Sequence, residues 1–194
     1  IFDKLIFYMG INHLTSSRQN YKNFETLHEA ELKVFSQNGE DGIIDYLLYS
    51  LNIKKPKFIE IGVGDYRECN TRFVYERTSG QGLIIDVIEN LESKVKQNIN
   101  FWMGDLTIVE KEINVENILE VLDKKNFNNN IDLFSLDVDG IDRYRERLGD
   151  RIVYTVYVRS QLWLLGDDCS IEIRHLPPGV GRHRGGPLKK FATI

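Results

Sequence analysis

The segment from Phe58 to Asp65 constrains the fold of this chain most strongly. It reads Phe-Ile-Glu-Ile-Gly-Val-Gly-Asp, an apolar run that ends in a Gly-x-Gly turn. A buried strand that leads directly into such a turn is typical of the first strand of a Rossmann-like sheet, where the backbone approaches a nucleotide. The segment therefore predicts an α/β fold with a ligand-binding edge after its first strand.

The residues around this turn indicate a class of cofactor. A dinucleotide-binding fingerprint requires a third glycine at position 67, where this chain has Arg67. Glu60 and Asp65 lie beside the turn, where they would repel a pyrophosphate. A cofactor with a positive charge and no phosphate fits better, so we expect S-adenosylmethionine rather than NAD.

Apolar segments alternate with amphipathic segments along the chain. Strands are predicted at 58–61, 82–86, 101–103, 131–136 and 152–158, with helices after residue 36 and at 70–77, 89–97 and 112–125. This alternation predicts a mostly parallel sheet with helices on both faces.

Composition changes near the C-terminus of the chain. Residues 1–142 hold 11 Lys and 4 Arg, whereas residues 143–194 hold 2 Lys and 8 Arg, and all 15 Asn precede residue 131. We therefore expect three parts: an N-terminal helical extension (1–32), a Rossmann-like domain (33–158) and an incomplete or atypical C-terminal part (159–194).

Acidic residues follow four of the predicted strands. They are Glu60 with Asp65, then Asp86, Asp105, and Asp137 with Asp139. Ligands of open α/β sheets bind at the carboxyl ends of the strands, and Asp86 is placed where such folds bind ribose hydroxyls. Asp105 could accept a hydrogen bond from an adenine amino group, and Glu60 could meet an ammonium group. The alternative for each acid is that it caps the helix after its strand.

Five blocks of this sequence occur in an order known from one family. The blocks are Ser36–Ile44, Glu60–Tyr66, Asn70–Phe73, Gly82–Asp86 and Ser135–Gly140. Together they resemble the FkbM-like, Rossmann-fold methyltransferases over roughly residues 33–142. The resemblance implies a class I methyltransferase sandwich, S-adenosylmethionine as cofactor, and O-methylation of a sugar or small-molecule hydroxyl, often in polysaccharide biosynthesis.

The resemblance also implies roles for individual residues. Glu60, Gly62 and Gly64 would hold the methionine part of the cofactor, Asp86 the ribose, and Asp105 the adenine edge.

Asp137 would lie beside the transferred methyl group, and Asp139 replaces the glutamate of the family's Asp-x-Glu-Gly motif. These two residues are the predicted catalytic pair. They would act as the base for the acceptor hydroxyl, or as ligands of a divalent metal that acidifies it. The alternative is that Asp139 forms a turn with Gly140 and Asp137 caps the next helix.

Two other functions remain open. Asp137-Val-Asp139 matches the Asp-x-Asp metal site of a sugar-nucleotide glycosyltransferase, although only Arg67 and Arg72 lie near the turn to balance a diphosphate. A non-catalytic or truncated Rossmann domain is the second alternative, because five strands can be read where a complete methyltransferase sheet has seven.

Bulk properties exclude several classes of protein. The net charge of −4 gives no basic surface for nucleic acid. No apolar run approaches the ~18 residues of a transmembrane helix, and two cysteines form neither a disulfide framework nor a metal site. We expect a cytoplasmic protein whose partner is a small-molecule or saccharide acceptor.

Overall fold

The computed structural model describes residues 2–113, 117–127, 130–136, 155–159 and 170–174. The α-helices in these ranges are α1 (Phe2–Ser17), α2 (Glu40–Ser50), α3 (Arg72–Thr78), α4 (Leu91–Asn98) and α5 (Ile118–Lys124). The strands are β1 (Lys57–Ile61), β2 (Gln81–Asp86), β3 (Asp105–Glu110), β4 (Leu133–Leu136), β5 (Thr155–Arg159) and β6 (Ser170–Arg174). Short 3₁₀ helices cover Arg18–Asn23, Leu27–Ala30 and Phe101–Met103.

The strands form one sheet in the order β3-β2-β1-β4-β5-β6. The first four are parallel, and helices connect them. The chain proceeds outward from β1 to β3 and then returns to place β4 on the other side of β1. This order confirms an α/β fold with a parallel sheet and is consistent with a Rossmann-like arrangement. It puts the topological switch point between β1 and β4, where open sheets bind their ligands.

The predicted fifth strand is present, but it runs antiparallel to β4. Leu133 of β4 pairs with Val158 of β5, and Leu136 pairs with Thr155. β6 pairs antiparallel with β5 and lies in the part of the chain that the sequence marked as atypical. The sheet is therefore mixed, with four parallel strands.

Apolar side chains cover both faces of the sheet. On one face, α2, α3 and α4 pack on residues that include Phe58, Ile84 and Leu133. On the other face, α5 packs on residues that include Ile59 and Ile85. Successive residues of a strand point to opposite faces, so β1 and β2 are buried on both sides.

Helix α1 adds a further layer outside α3. Its apolar side chains Ile6, Phe7, Ile11 and Leu14 pack against a cluster of Val34, Phe35 and Phe73. Gly10 permits this close approach, since a Cβ atom there would lie 2.6 Å from Val34 Cγ2. The N-terminal helix is thus part of the packed core.

The predicted third strand at 101–103 is wrong. These residues form a turn of 3₁₀ helix, in which the amide of Met103 donates to the carbonyl of Asn100 at 2.9 Å. The Tyr75 hydroxyl donates to the Phe101 carbonyl at 2.7 Å and so uses an acceptor that a strand ladder would need. The strand instead begins at Asp105 and contains the β-branched run Thr107–Val109.

A buried carboxylate fixes the start of α2. Asp41 is fully buried, and its Oδ2 accepts hydrogen bonds from the amides of Val34, Phe35 and Ser36 and from the Ser36 hydroxyl. The Ser36 oxygen in turn accepts the Asp41 amide proton at 3.0 Å. Burial raises the pKa of Asp41 to about 6, although these hydrogen bonds act in the opposite direction.

The raised pKa of Asp41 gives a pH dependence of stability. Between about pH 4 and pH 6 the folded chain binds this proton and the unfolded chain does not, so the free energy of unfolding falls as pH rises. A shift of this size corresponds to about 3 kcal/mol. Urea unfolding at pH 4, 5 and 6 should show this loss in the wild type, and the decline should be smaller by about this amount in Asp41→Asn. The exposed Asp123→Asn variant is the control and should follow the wild type, whereas parallel curves for wild type and Asp41→Asn would contradict the assignment.

Candidate functional site

The Gly-x-Gly turn lies at the carboxyl end of β1, at the switch point of the sheet. Gly62 has φ 83° and Gly64 has φ 56°, both in the region that favours glycine. The amide of Gly62 donates to the Ile85 carbonyl at 2.9 Å, which continues the β1–β2 ladder into the turn. The amide of Gly64 donates to Asp86 Oδ2 at 2.8 Å. The structure therefore brings together Gly62, Gly64 and Asp86, three of the predicted cofactor-binding residues.

Glu60 supports this turn from inside the protein. It is fully buried, and its Oε1 accepts hydrogen bonds from the Asn70 amide at 3.0 Å and the Ser135 hydroxyl at 3.1 Å. Its Oε2 accepts from the amide and the hydroxyl of Thr71, at 2.9 and 2.6 Å. Burial raises the pKa of Glu60, and the bonds from Thr71, Asn70 and Ser135 oppose that effect. Glu60 thus joins β1, β4 and the start of α3, and a contact with a cofactor ammonium stays a prediction.

Tyr66 ends the turn in an unfavourable conformation. It is fully buried with φ 64°, a region that bulky side chains rarely adopt. Its amide donates to the Val63 carbonyl at 2.9 Å, and its hydroxyl lies 2.9 Å from Thr71 Oγ1. The hydroxyl connects the turn to the Glu60 network through Thr71. This contact and the burial of the ring together hold the strained backbone in place.

Asp86 and Glu110 form an acidic pair at the carboxyl ends of β2 and β3. They are register partners across the two strands, and the Lys111 amide donates to the Asp86 carbonyl at 2.9 Å. Asp86 is half-buried, and its Oδ1 also accepts the Ile88 amide at 3.1 Å. Glu110 is exposed and accepts the Leu91 amide at 3.2 Å, at the start of α4.

The predicted position of Asp105 at the end of the third strand is wrong. Asp105 begins β3, pairs in register with Gln81 at the start of β2, and accepts a hydrogen bond from the Gln81 side chain at 2.8 Å. It lies at the amino-terminal ends of the parallel strands, roughly 16 Å from Glu110 along β3. Glu110 is the acid that β3 brings to the candidate site. Its signal in the sequence was the β-branched run before it, which places the strand after Gly104.

Asp65 lies on the outer side of the turn. Its Oδ2 forms an ion pair with Arg67 Nε at 3.2 Å, and its carbonyl accepts the Asn98 side-chain amide at 2.8 Å. Arg67 Nε also donates to Asn98 Oδ1 at 2.9 Å. Arg72, the other arginine near the turn, is buried with Glu76 and Asp3 as ion-pair partners. Both arginines are thus engaged with acidic side chains, which does not favour a diphosphate ligand.

The predicted catalytic pair, Asp137 and Asp139, lies outside the described residues. The strand that precedes it ends at Leu136, which pairs with Ile61 immediately before the turn. Within the described part of the chain, no three His, Cys, Asp or Glu side chains are grouped so that they could hold a metal ion. A divalent metal bound by Asp137 and Asp139 stays a prediction.

No family model, curated protein or solved structure matches this chain. No helix in the described ranges has the length and apolar character that a membrane span requires. The function is therefore inferred from the chemistry of this edge of the sheet.

The side chains described at this edge are acidic hydrogen-bond acceptors. Among the residues that the structure describes, none lies within 4 Å of the position that a Cβ atom at Gly64 would take. The carboxylates of Asp65, Asp86 and Glu110 are acceptors for hydroxyl or amino groups, and together they attract a cation. A pyrophosphate would meet the same carboxylates as like charges.

A glycine can be required at a position because its backbone has a positive φ or because a side chain would collide with a neighbour. At Gly64 φ is 56°, and no described residue lies within 4 Å of a Cβ atom, so the first reason applies. Gly64→Ala should lower the free energy of unfolding by about 1 kcal/mol, because alanine is disfavoured at this positive φ and no atom of the described ranges obstructs its Cβ. Gly64→Asn should cost less, because asparagine tolerates left-handed backbone. Chemical denaturation of both variants checks this. Equal losses for alanine and asparagine would contradict the conformational explanation.

Proposed function

We propose that this chain is an S-adenosylmethionine-dependent methyltransferase that methylates a hydroxyl group of a saccharide or small molecule in the cytoplasm. The observation that carries the proposal is the Asp86 carboxylate, which accepts the Gly64 amide at the Gly-x-Gly turn, at the switch point of the parallel strands. This arrangement would offer acceptors to ribose hydroxyls, and no described residue lies within 4 Å of a Cβ atom at Gly64.

Charge supports a sulfonium cofactor over a phosphate-bearing one. Asp86 and Glu110 lie next to each other at the ends of β2 and β3, and the charge of Asp65 is balanced by its ion pair with Arg67. A positively charged ligand reduces the mutual repulsion of these carboxylates, whereas a nucleotide diphosphate increases it. The same observation disfavours the sugar-nucleotide glycosyltransferase.

The cofactor would supply an electrophilic methyl group on its sulfonium. The chain's own residues would bind and orient it: Asp86 at the ribose, with Glu110 as the next acceptor along the edge. Asp137 and Asp139 follow β4, whose last residue Leu136 lies beside Ile61 in the sheet. One of these aspartates would take the proton of the acceptor hydroxyl as the new C–O bond forms and the S–CH₃ bond breaks to leave a neutral thioether.

A non-catalytic Rossmann domain is the second candidate. The antiparallel direction of β5 favours it, since the parallel sheet ends at β4. Such a domain would retain the turn, Asp86 and cofactor binding, and it would not transfer a methyl group.

Calorimetric titration with S-adenosylhomocysteine tests the cofactor assignment. The wild type should bind with micromolar affinity. Asp86→Asn should bind about tenfold or more weakly, since a hydrogen bond to a charged group contributes about 1.5–3 kcal/mol. Glu110→Gln should be weakened less, because Glu110 is exposed. Asp105→Asn is the matched control at the opposite edge, and it should bind within about twofold of the wild type, far below the tenfold step of 1.4 kcal/mol.

The same titration can reject the proposal. Absence of binding by a wild-type chain with a cooperative thermal transition would contradict it. Equal weakening by Asp86→Asn and Asp105→Asn would show that binding does not occur at the predicted edge.

A further inference from the structure

We infer that Arg72 is a positioning residue, through which helix α1 holds the backbone that follows the glycine turn in its ligand-binding form. The inference rests on the proposed function, because it assigns α1 a control over the cofactor turn. It concerns residues that do not themselves touch the proposed ligand.

The Arg72 guanidinium is buried between three helices and an aromatic ring. The residue is 3% exposed, and its Nε donates to Glu76 Oε1 at 2.9 Å within α3. Its Nη2 donates to Asp3 Oδ2 of α1 at 2.8 Å. The guanidinium also lies 3.7 Å from the centre of the Phe35 ring. Burial lowers the pKa of Arg72, but Asp3 and Glu76 together raise it above its ordinary value.

The same guanidinium holds the backbone next to the turn. Arg72 Nη1 donates to the Arg67 carbonyl at 3.0 Å, and Nη2 donates to the Asn98 carbonyl at the end of α4. Asn98 in turn donates its side-chain amide to the Asp65 carbonyl and accepts from Arg67 Nε. The backbone of residues 65–67 is therefore fixed from two sides, and both sides meet at Arg72.

Asp3 is the one of these partners that belongs to α1. Its carboxylate and the Asn98 carbonyl both accept hydrogen bonds from Arg72 Nη2, so Asp3 fixes the orientation of this end of the guanidinium group. Arg guanidinium donors have a fixed planar geometry, and a rotation that loses one bond disturbs the others. Loss of the Asp3 charge should therefore loosen the contacts to Asn98 and Arg67, and with them the segment 65–67.

A double-mutant cycle tests this coupling in the full chain. The variants are Asp3→Asn, Arg72→Lys and the two combined, with Lys4→Gln as a control on the next, exposed residue of α1. Two quantities are measured: amide hydrogen exchange over residues 62–68, and the affinity for S-adenosylhomocysteine. Global stability is measured by urea unfolding, so that a general loss of folding is recognised.

Asp3→Asn should speed exchange in 62–68 and weaken S-adenosylhomocysteine binding about fivefold to tenfold, the lower end of typical coupling between sites. Lys4→Gln should leave both quantities unchanged. In the Arg72→Lys background, Asp3→Asn should add no further effect, because the guanidinium group that links Asp3 to residues 65–67 is already absent.

Three results would overturn the inference: unchanged exchange over 62–68 in Asp3→Asn, an equal effect of Lys4→Gln, or additive effects of Asp3→Asn and Arg72→Lys. Hydrogen exchange does not require a ligand. If the wild type fails to bind S-adenosylhomocysteine, the proposed function fails, and exchange still decides whether α1 holds the segment through Arg72.

Discussion

The buried carboxylate of Glu60 is the interaction on which the candidate site depends. Taking a carboxylate out of water costs several kcal/mol unless hydrogen bonds replace its hydration. Here the two oxygens accept four hydrogen bonds from neutral groups of Asn70, Thr71 and Ser135. Because Asn70 and Thr71 immediately precede α3 and Ser135 lies on β4, these hydrogen bonds fix α3 and β4 against the end of β1.

The geometry of the ligand edge follows from this arrangement. Once β1 and β4 are adjacent, the chain after Ile61 must turn at the switch point of the sheet, and positive φ values at Gly62 and Gly64 make that turn. Thr71 connects the Glu60 carboxylate to the Tyr66 hydroxyl, so the far end of the turn is held by the same network. Asp86 then receives the Gly64 amide, and the β2–β3 register places Glu110 beside it. The outer surface is acidic, and the inner surface is a saturated hydrogen-bond network.

The sequence predicted the parts of this fold that depend on local pattern. β1, β2 and the glycine turn were readable because an apolar run and two glycines lie within a few residues of one another. The position of β3 could not be predicted, because the apolar residues Phe101–Met103 resemble a strand. Only the structure shows that the hydroxyl of Tyr75, which is remote in sequence, donates to the Phe101 carbonyl. The direction of β5 could not be predicted either, because β-branched strands of this kind occur next to both parallel and antiparallel neighbours. Arg72 could be noted from sequence only as a charge near the turn, because its partners Asp3 and Asn98 are distant along the chain.

Backbone amide NMR shifts would show whether the turn after β1 and the ends of β2 and β3 bind a cationic or neutral nucleoside. S-adenosylmethionine and NAD would be titrated separately into the ¹⁵N-labelled chain. S-adenosylmethionine should shift the amides of Gly62–Asp65, Val87 and Lys111 and leave the amide of Asp105 unchanged, and NAD should have little effect. Shifts at the Asp105 edge, or a stronger response to NAD at the glycine turn, would contradict this assignment.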